Sequence, residues 1–174
     1  MGLYLDTAPL VIKDLPAHAT HYTRGRKSPM GFIVLHHTGG VDSRDWLTHT
    51  SSPPVSCNRL ITKDGTVYKI VRDEDTAWAQ GFSTVGPYQK NGPYTMNDVG
   101  LSIELENLGN GKDSYPESQI MSTVLQCAEW WGMYGLLPIV GHGQIDSRKV
   151  DPRGFPWSRF YRSMLGHIRT LGNK

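Results

Sequence analysis

Residues 31–40, GFIVLHHTGG, decide how this 174-residue chain is read. Phe32, Ile33, Val34 and Leu35 place apolar side chains on both faces of an extended segment, the pattern of a central strand covered on each side. The run ends in two adjacent histidines and a flexible turn. Alternation sends His36 and His37 to opposite faces. Because both faces are apolar, strand physics alone does not choose which histidine has the special role.

Working outward, RLITKDGTVYKIV (59–71) makes two short runs about Asp64 and Gly65, a pair whose tolerance of positive φ signals a hairpin. VGLSIELEN (99–107) alternates: Val99, Leu101, Ile103 and Leu105 share one face, leaving Ser102, Glu104 and Glu106 on the other. In residues 116–135, Ile120, Thr123, Val124, Cys127, Ala128 and Trp131 recur at helical spacing, with Pro116 suited to the first turn and Gly132 and Gly135 weakening the end. A second helix over 157–171 places Phe160, Tyr161, Met164, Leu165 and Ile168 on one stripe, with Arg159, Arg162 and Arg169 more outward. A short helix over 45–49 is also expected. The aromatics Trp130 and Trp131 read as core and helix-edge residues rather than a sugar platform. The long loops 79–96 and 143–156 are candidates for function.

The length and the 38% hydrophobic content suit one domain with a real core. Residues 1–28 read as an N-terminal arm and 29–174 as the domain, with regular structure beginning at Gly31. No apolar run approaches the roughly 20 residues needed to cross a bilayer, and Asp6, Pro9 and Lys13 interrupt the start where a signal peptide has a basic end and an apolar centre. The expectation is a soluble chain made in the cytoplasm without a signal peptide. Cys57 and Cys127 stand too far apart for a CxxC motif and form no disulfide framework. The formal net charge of +2 divides unevenly. Residues 1–30 carry four Lys/Arg against two Asp, 31–143 seven against twelve Asp/Glu, and 144–174 seven against two, so basic ends flank an acidic middle. Ordinary solvated charge accounts for such ends, which would also favour an anionic surface such as a phosphate-bearing cell envelope. Nucleic acid is not expected, since zinc-finger spacing, a Walker-type loop and a basic stripe interleaved with aromatics are all missing.

The chemistry has to come from residues distant in sequence. PIVGHGQIDSRKVDPRGFPW (138–157) again runs a short apolar strand, Ile139 and Val140, into a histidine, His142, and follows it nine residues later with Asp151. If the strands carrying His36 and His142 are neighbours, two imidazoles and a carboxylate converge at a strand end. That is a three-ligand zinc site with a fourth position open to water, the arrangement used for hydrolysis. Spacing alone is weak support, because a single histidine at a strand end is more often a satisfied polar group.

Several motifs in order are far more specific. HHTGG (36–40), the VS…LITKDGTVYKIV hairpin, TAWAQG (76–81), NDVGLSIELEN (97–107) and GHGQIDSRKVDP (141–152) occur in the order and approximate spacing of the type 2 N-acetylmuramoyl-L-alanine amidases. The chain resembles that family, which includes phage endolysins, bacterial cell-wall amidases and animal peptidoglycan recognition proteins, over about residues 29–170. The resemblance implies an α/β fold, a mixed central β-sheet flanked by helices in a single domain, with one zinc at the strand ends. It also implies cleavage of the amide joining N-acetylmuramic acid to L-alanine in peptidoglycan.

Carried over by position, the resemblance makes His36, His142 and Asp151 the zinc ligands and sends His37 to the other face. Some relatives have cysteine at the position of Asp151, and a carboxylate is an equally sound ligand. Glu104 matches the glutamate that handles protons in one branch, with Glu106 on the same face as its competitor. Lys149 matches a lysine proposed to stabilise the oxyanion. Trp78, Asn97 and Arg153 are expected substrate contacts. Two departures stand out: Cys57 occupies the place of a catalytic tyrosine found in another branch, and Ala79 stands where many relatives carry histidine. The expected protein is a monomeric zinc amidase acting on bacterial peptidoglycan as a phage or prophage lysin, at the wall or in the periplasm. Its alternatives are an intracellular amidase recycling wall fragments and a non-catalytic peptidoglycan-binding module.

Overall fold

FIVLHH does form a central strand. The computed structural model describes residues 10–172, with side chains as far as Arg169. Its strands are β1 (Ile12–Asp14), β2 (Tyr22–Thr23), β3 (Phe32–His37), β4 (Arg59–Ile61), β5 (Val67–Lys69), β6 (Thr76–Ala77), β7 (Gly100–Leu105) and β8 (Ile139–Gly141). The helices are α1 (Met96–Val99), α2 (Glu117–Tyr134), α3 (His142–Ile145) and α4 (Trp157–Gly172), with a π-helical turn over Trp46–Thr50 where a short helix was expected.

Six strands form one sheet in the order β1-β5-β4-β7-β3-β8. Only the β4–β5 hairpin is antiparallel, and the other pairings are parallel, so the sheet is mixed. Gly65 makes the hairpin's tight turn at φ +87°, a conformation that favours glycine. The turn rests on α2, where the Ser122 hydroxyl donates to the Gly65 carbonyl at 2.6 Å.

Ile33, Val34 and Leu35 are fully buried, as the two-faced apolar pattern requires. On one side of the sheet, Ile33, Leu35, Leu101, Ile103 and Leu105 pack against Ile120, Val124, Cys127 and Trp130 of α2 and Phe160 and Met164 of α4. Each such side chain contributes about 1.5–3 kcal/mol by leaving water. Trp130 is a core residue whose indole donates to Asp73 at 2.8 Å, and half-buried Trp131 donates to the Leu137 carbonyl at 2.7 Å. On the other side Val34 meets Met96, Val99 and Ile145.

Two sequence expectations are corrected. Among the described residues regular structure begins at Ile12, well before Gly31: β1 joins the sheet edge beside β5, and β2 forms a separate ribbon with β6. All three β1 residues are exposed, so the strand is held by backbone pairing and carries no apolar alternation to read. The broad stripe expected on α4 is also narrower than drawn. Phe160 and Met164 are buried, but Tyr161, Leu165 and Ile168 are 42%, 58% and 42% exposed, because only one edge of this flanking helix meets the core.

Candidate active site

Parallel strands deliver their C-terminal ends to one edge of a sheet, where α/β folds place their ligands. Here β3 and β7 pair in register, setting His36 opposite Glu104 and Val34 opposite Ser102. On the other side of β3, Leu35 is paired with Gly141, the last residue of β8. His142, the next residue, therefore starts α3 level with His36. Their rings lie 4.5 Å apart between centroids, edge to face.

Asp151 arrives from the following loop. Its carbonyl accepts the Gly143 N–H at 2.8 Å, and two residues later the Arg153 N–H donates to His37 Nδ1 at 3.0 Å. His37 thus has a separate role, since from the opposite face of β3 it anchors the loop that carries the third candidate ligand. Asp151 Oδ2 stands 3.0 Å from Nδ1 of His36 and 3.0 Å from Nδ1 of His142. One donor atom from each of the three residues lies within 4.8 Å of the others.

This donor set fits a zinc ion. Ligands about 2.1 Å from a tetrahedral centre stand roughly 3.4 Å apart, close to the observed contacts. Burial pushes the His36 pKa down, against the pull of the neighbouring Asp151, and so favours the neutral imidazole that a metal requires. Burial opposes ionisation of Asp151, but the His142 and His36 imidazoles against its Oδ2 outweigh it and hold the carboxyl well below the usual range. Two imidazoles and one carboxylate are the type of set that binds zinc with a position left open.

Glu104 lies beside this cluster with its Oε2 buried and, among the described residues, without a hydrogen-bond partner. Burial raises its pKa to about 8, the Asp151 charge adds to the rise, and Lys149 opposes it. Lys149 is exposed, yet close enough for its charge to act on Glu104. Glu106 has different work: its carboxylate accepts the Asp42 N–H at 2.9 Å and the Lys63 N–H at 3.2 Å. Cys57 is fully buried near Glu104, and burial with the Glu104 charge pushes its thiol pKa well up, so it stays protonated.

The structure thus gathers His36, His142, Asp151, Glu104 and Lys149. Trp78 and Asn97 instead line a cavity with Arg24, Arg26 and Lys27 of the arm, whose walls include none of the three candidate ligands. The Trp78 indole donates to Thr23 Oγ1 at 3.0 Å. Asn97 Oδ1 accepts the N–H groups of Gln80 and Gly81 at 3.0 and 2.8 Å, so this side chain shapes a turn. The Arg153 side chain is exposed beside Gly111. Sequence reasoning passed over Gln80, which is buried with Oε1 3.3 Å from His36 Nε2. Nothing periodic marks it, and its partner lies 44 positions away.

The family model described as N-acetylmuramoyl-L-alanine amidase matches residues 26–154, a span that contains His36, Glu104, His142, Lys149 and Asp151. The chain belongs to the N-acetylmuramoyl-L-alanine amidase family. The amidase aligns with the solved structure of AmpD at a TM-score of 0.73 and 24% identity, covering 88% of this chain and 94% of that one. It aligns with Escherichia coli AmiD at 0.65 and 25% identity, over 76% of this chain and 56% of that one, in a complex described as containing its substrate anhydro-N-acetylmuramic acid-L-Ala-D-gamma-Glu-L-Lys. The endolysin of bacteriophage Ph2119 from Thermus scotoductus shares the fold at 0.62 and 16% identity, over 87% of this chain and 99% of that one. No curated protein matches the amidase by sequence. Among the described residues no helix is long and apolar enough to cross a membrane.

The raised Glu104 pKa has a measurable consequence in chelator-treated amidase. From about pH 4.5 upward the unfolded chain gives up a proton that the folded chain keeps until about pH 8, so stability should fall as pH rises through that window. Denaturant midpoints should show this loss in the parent and a smaller one in Glu104→Gln. Equal slopes would mean that Glu104 does not hold the proton.

Proposed function

We propose that this amidase hydrolyses the bond between the lactyl group of N-acetylmuramic acid and L-alanine with one bound zinc, as a phage or prophage endolysin. The convergence of His36, His142 and Asp151 beside Glu104, whose buried Oε2 has no hydrogen-bond partner among the described residues, carries this reading. Bound by those three residues, zinc supplies Lewis acidity toward the scissile carbonyl and lowers the pKa of water to about 7. Glu104 accepts the proton released as water adds to the carbonyl carbon, then delivers it to the departing L-alanine nitrogen. The C–N bond breaks, leaving a carboxylate on the lactyl group and a free amine on the peptide. A carboxyl whose pKa lies close to the working pH suits both transfers, and a nearby divalent cation would draw that pKa down from its metal-free value. Lys149 provides positive charge where the oxyanion develops.

Purified wall treated with the amidase should gain L-alanine amino termini without new reducing sugar ends. Chelation should stop the reaction and added zinc should restore it. Mass analysis finding glycan or cross-bridge cleavage would reject the bond assignment. The lysin role is supported by the basic chain ends, which suit an anionic envelope, and it places synthesis in the host cytoplasm and action at the wall. The soluble muropeptide described as the AmiD substrate favours a second reading, recycling of wall fragments. A lysin should degrade intact sacculi at least as well as soluble muropeptides, whereas a recycling enzyme should act on the fragments alone.

Lys149→Met should leave zinc content unchanged and slow turnover by about 3 kcal/mol in the barrier, the scale for one lost oxyanion donor. Turnover equal to the parent's would return Lys149 to an ordinary surface lysine.

A further inference from the structure

We propose that Gln80 is a positioning residue for the metal centre: its side-chain carbonyl holds the His36 proton on Nε2 and so presents the Nδ1 lone pair to the ion. The inference rests on the zinc reading above.

Gln80 and His36 are 3% and 2% exposed, so bulk solvent does not compete for their hydrogen bonds. The Gln80 amide nitrogen lies 2.9 Å from the Met96 carbonyl oxygen. A backbone carbonyl only accepts, which orients the amide: its NH2 faces Met96 and its oxygen faces His36. The amide oxygen, 3.3 Å from His36 Nε2, also only accepts, so this contact is a hydrogen bond when the imidazole proton sits on Nε2, in competition with Asp151 Oδ2 on the other side of the ring. In a neutral ring the other nitrogen then carries a lone pair. That nitrogen, Nδ1, is the one 3.0 Å from Asp151 Oδ2.

The alternative tautomer would put the proton on Nδ1 and donate it to Asp151. Such a bond would satisfy both side chains and occupy the atoms that should face the ion, so it competes with metal. Gln80 disfavours it by offering an acceptor only on the far side of the ring. An outer partner of this kind fixes the tautomer and ring direction of a ligating histidine.

Gln80 is itself firmly held. Its backbone N–H donates to Asn97 Oδ1 at 3.0 Å. A Cβ at position 100 would collide with the Gln80 amide nitrogen, so Gly100 at the start of β7 leaves the room the side chain needs. His142 has no comparable support, since its Nε2 is buried without a partner among the described residues. The orienting load on the imidazole pair therefore falls on Gln80.

The test compares Gln80→Met, which keeps length but has no oxygen acceptor, with Gln80→Glu, which keeps the acceptor toward His36 and loses the donor toward Met96. Zinc affinity is read by competition with a chromogenic chelator, and the His36 tautomer by 15N-histidine NMR of the metal-free protein. Gln80→Met should bind zinc roughly 10–100-fold more weakly, the usual cost of losing an outer partner, and its His36 should move toward the Nδ1–H form. Gln80→Glu should keep zinc affinity within about tenfold of the parent; if Gln80→Met does not fold, this variant and the parent tautomer carry the test. Zinc affinity unchanged in folded Gln80→Met, with His36 still protonated on Nε2, overturns the proposal alone. So does Nδ1–H in the parent, or a folded Gln80→Glu that loses zinc by more than about a hundredfold. A folded parent that binds no zinc overturns the zinc reading and this inference with it.

Discussion

His36→Ala, His142→Ala and Asp151→Ala should each strip the amidase of zinc and abolish hydrolysis. Each removes one of three donors, so the loss should exceed the roughly 10–100-fold typical of an outer partner. Asp151→Ala should be the most damaging to metal binding, because one carboxylate oxygen faces both imidazoles and supplies the negative charge of the donor set. His37→Ala is the discriminating comparison. It removes the acceptor that anchors the Arg153 N–H but leaves all three donors in place, so it should retain far more zinc than His36→Ala. Metal analysis of the purified variants checks the ranking. If His37→Ala is the metal-free protein and His36→Ala keeps its zinc, the site has been assigned to the wrong face of β3.

Glu104→Gln should leave zinc content and wall binding intact while lowering turnover by about a hundredfold or more, the range for a lost general acid-base group. The amide preserves the shape of the side chain and removes the group that accepts and returns the proton. Glu106→Gln is the matched control: two positions along and on the same side of the chain, it binds the N–H groups of Asp42 and Lys63. It should cost some loop stability and little turnover. Activity lost in Glu106→Gln and kept in Glu104→Gln would move the proton-transfer role to the neighbouring carboxylate. Activity kept in both would mean that another group handles the proton.

By itself the sequence determined the elements whose side chains meet the core with a regular period. Ile33, Val34 and Leu35 declare a strand buried on both sides, and the alternation through Leu101, Ile103 and Leu105 puts Glu104 on the face opposite their own. Asp64 and Gly65 mark the hairpin, and Ile120, Val124 and Cys127 mark α2. The order of the motifs indicated the family and, through it, His36, His142 and Asp151. Periodicity could not separate His36 from His37, because both faces of β3 are apolar. Tertiary structure decided that: the pairing of Leu35 with Gly141 brings His142 level with His36, and the pairing of His36 with Glu104 sets the carboxylate beside them. It alone revealed β1, whose exposed side chains follow no period, and Gln80, held by a backbone carbonyl and a histidine remote in the chain. Core positions leave a local repeating mark because each must face the same surface. Site residues meet through strand register and loop return, and neither depends on a spacing that the chain repeats.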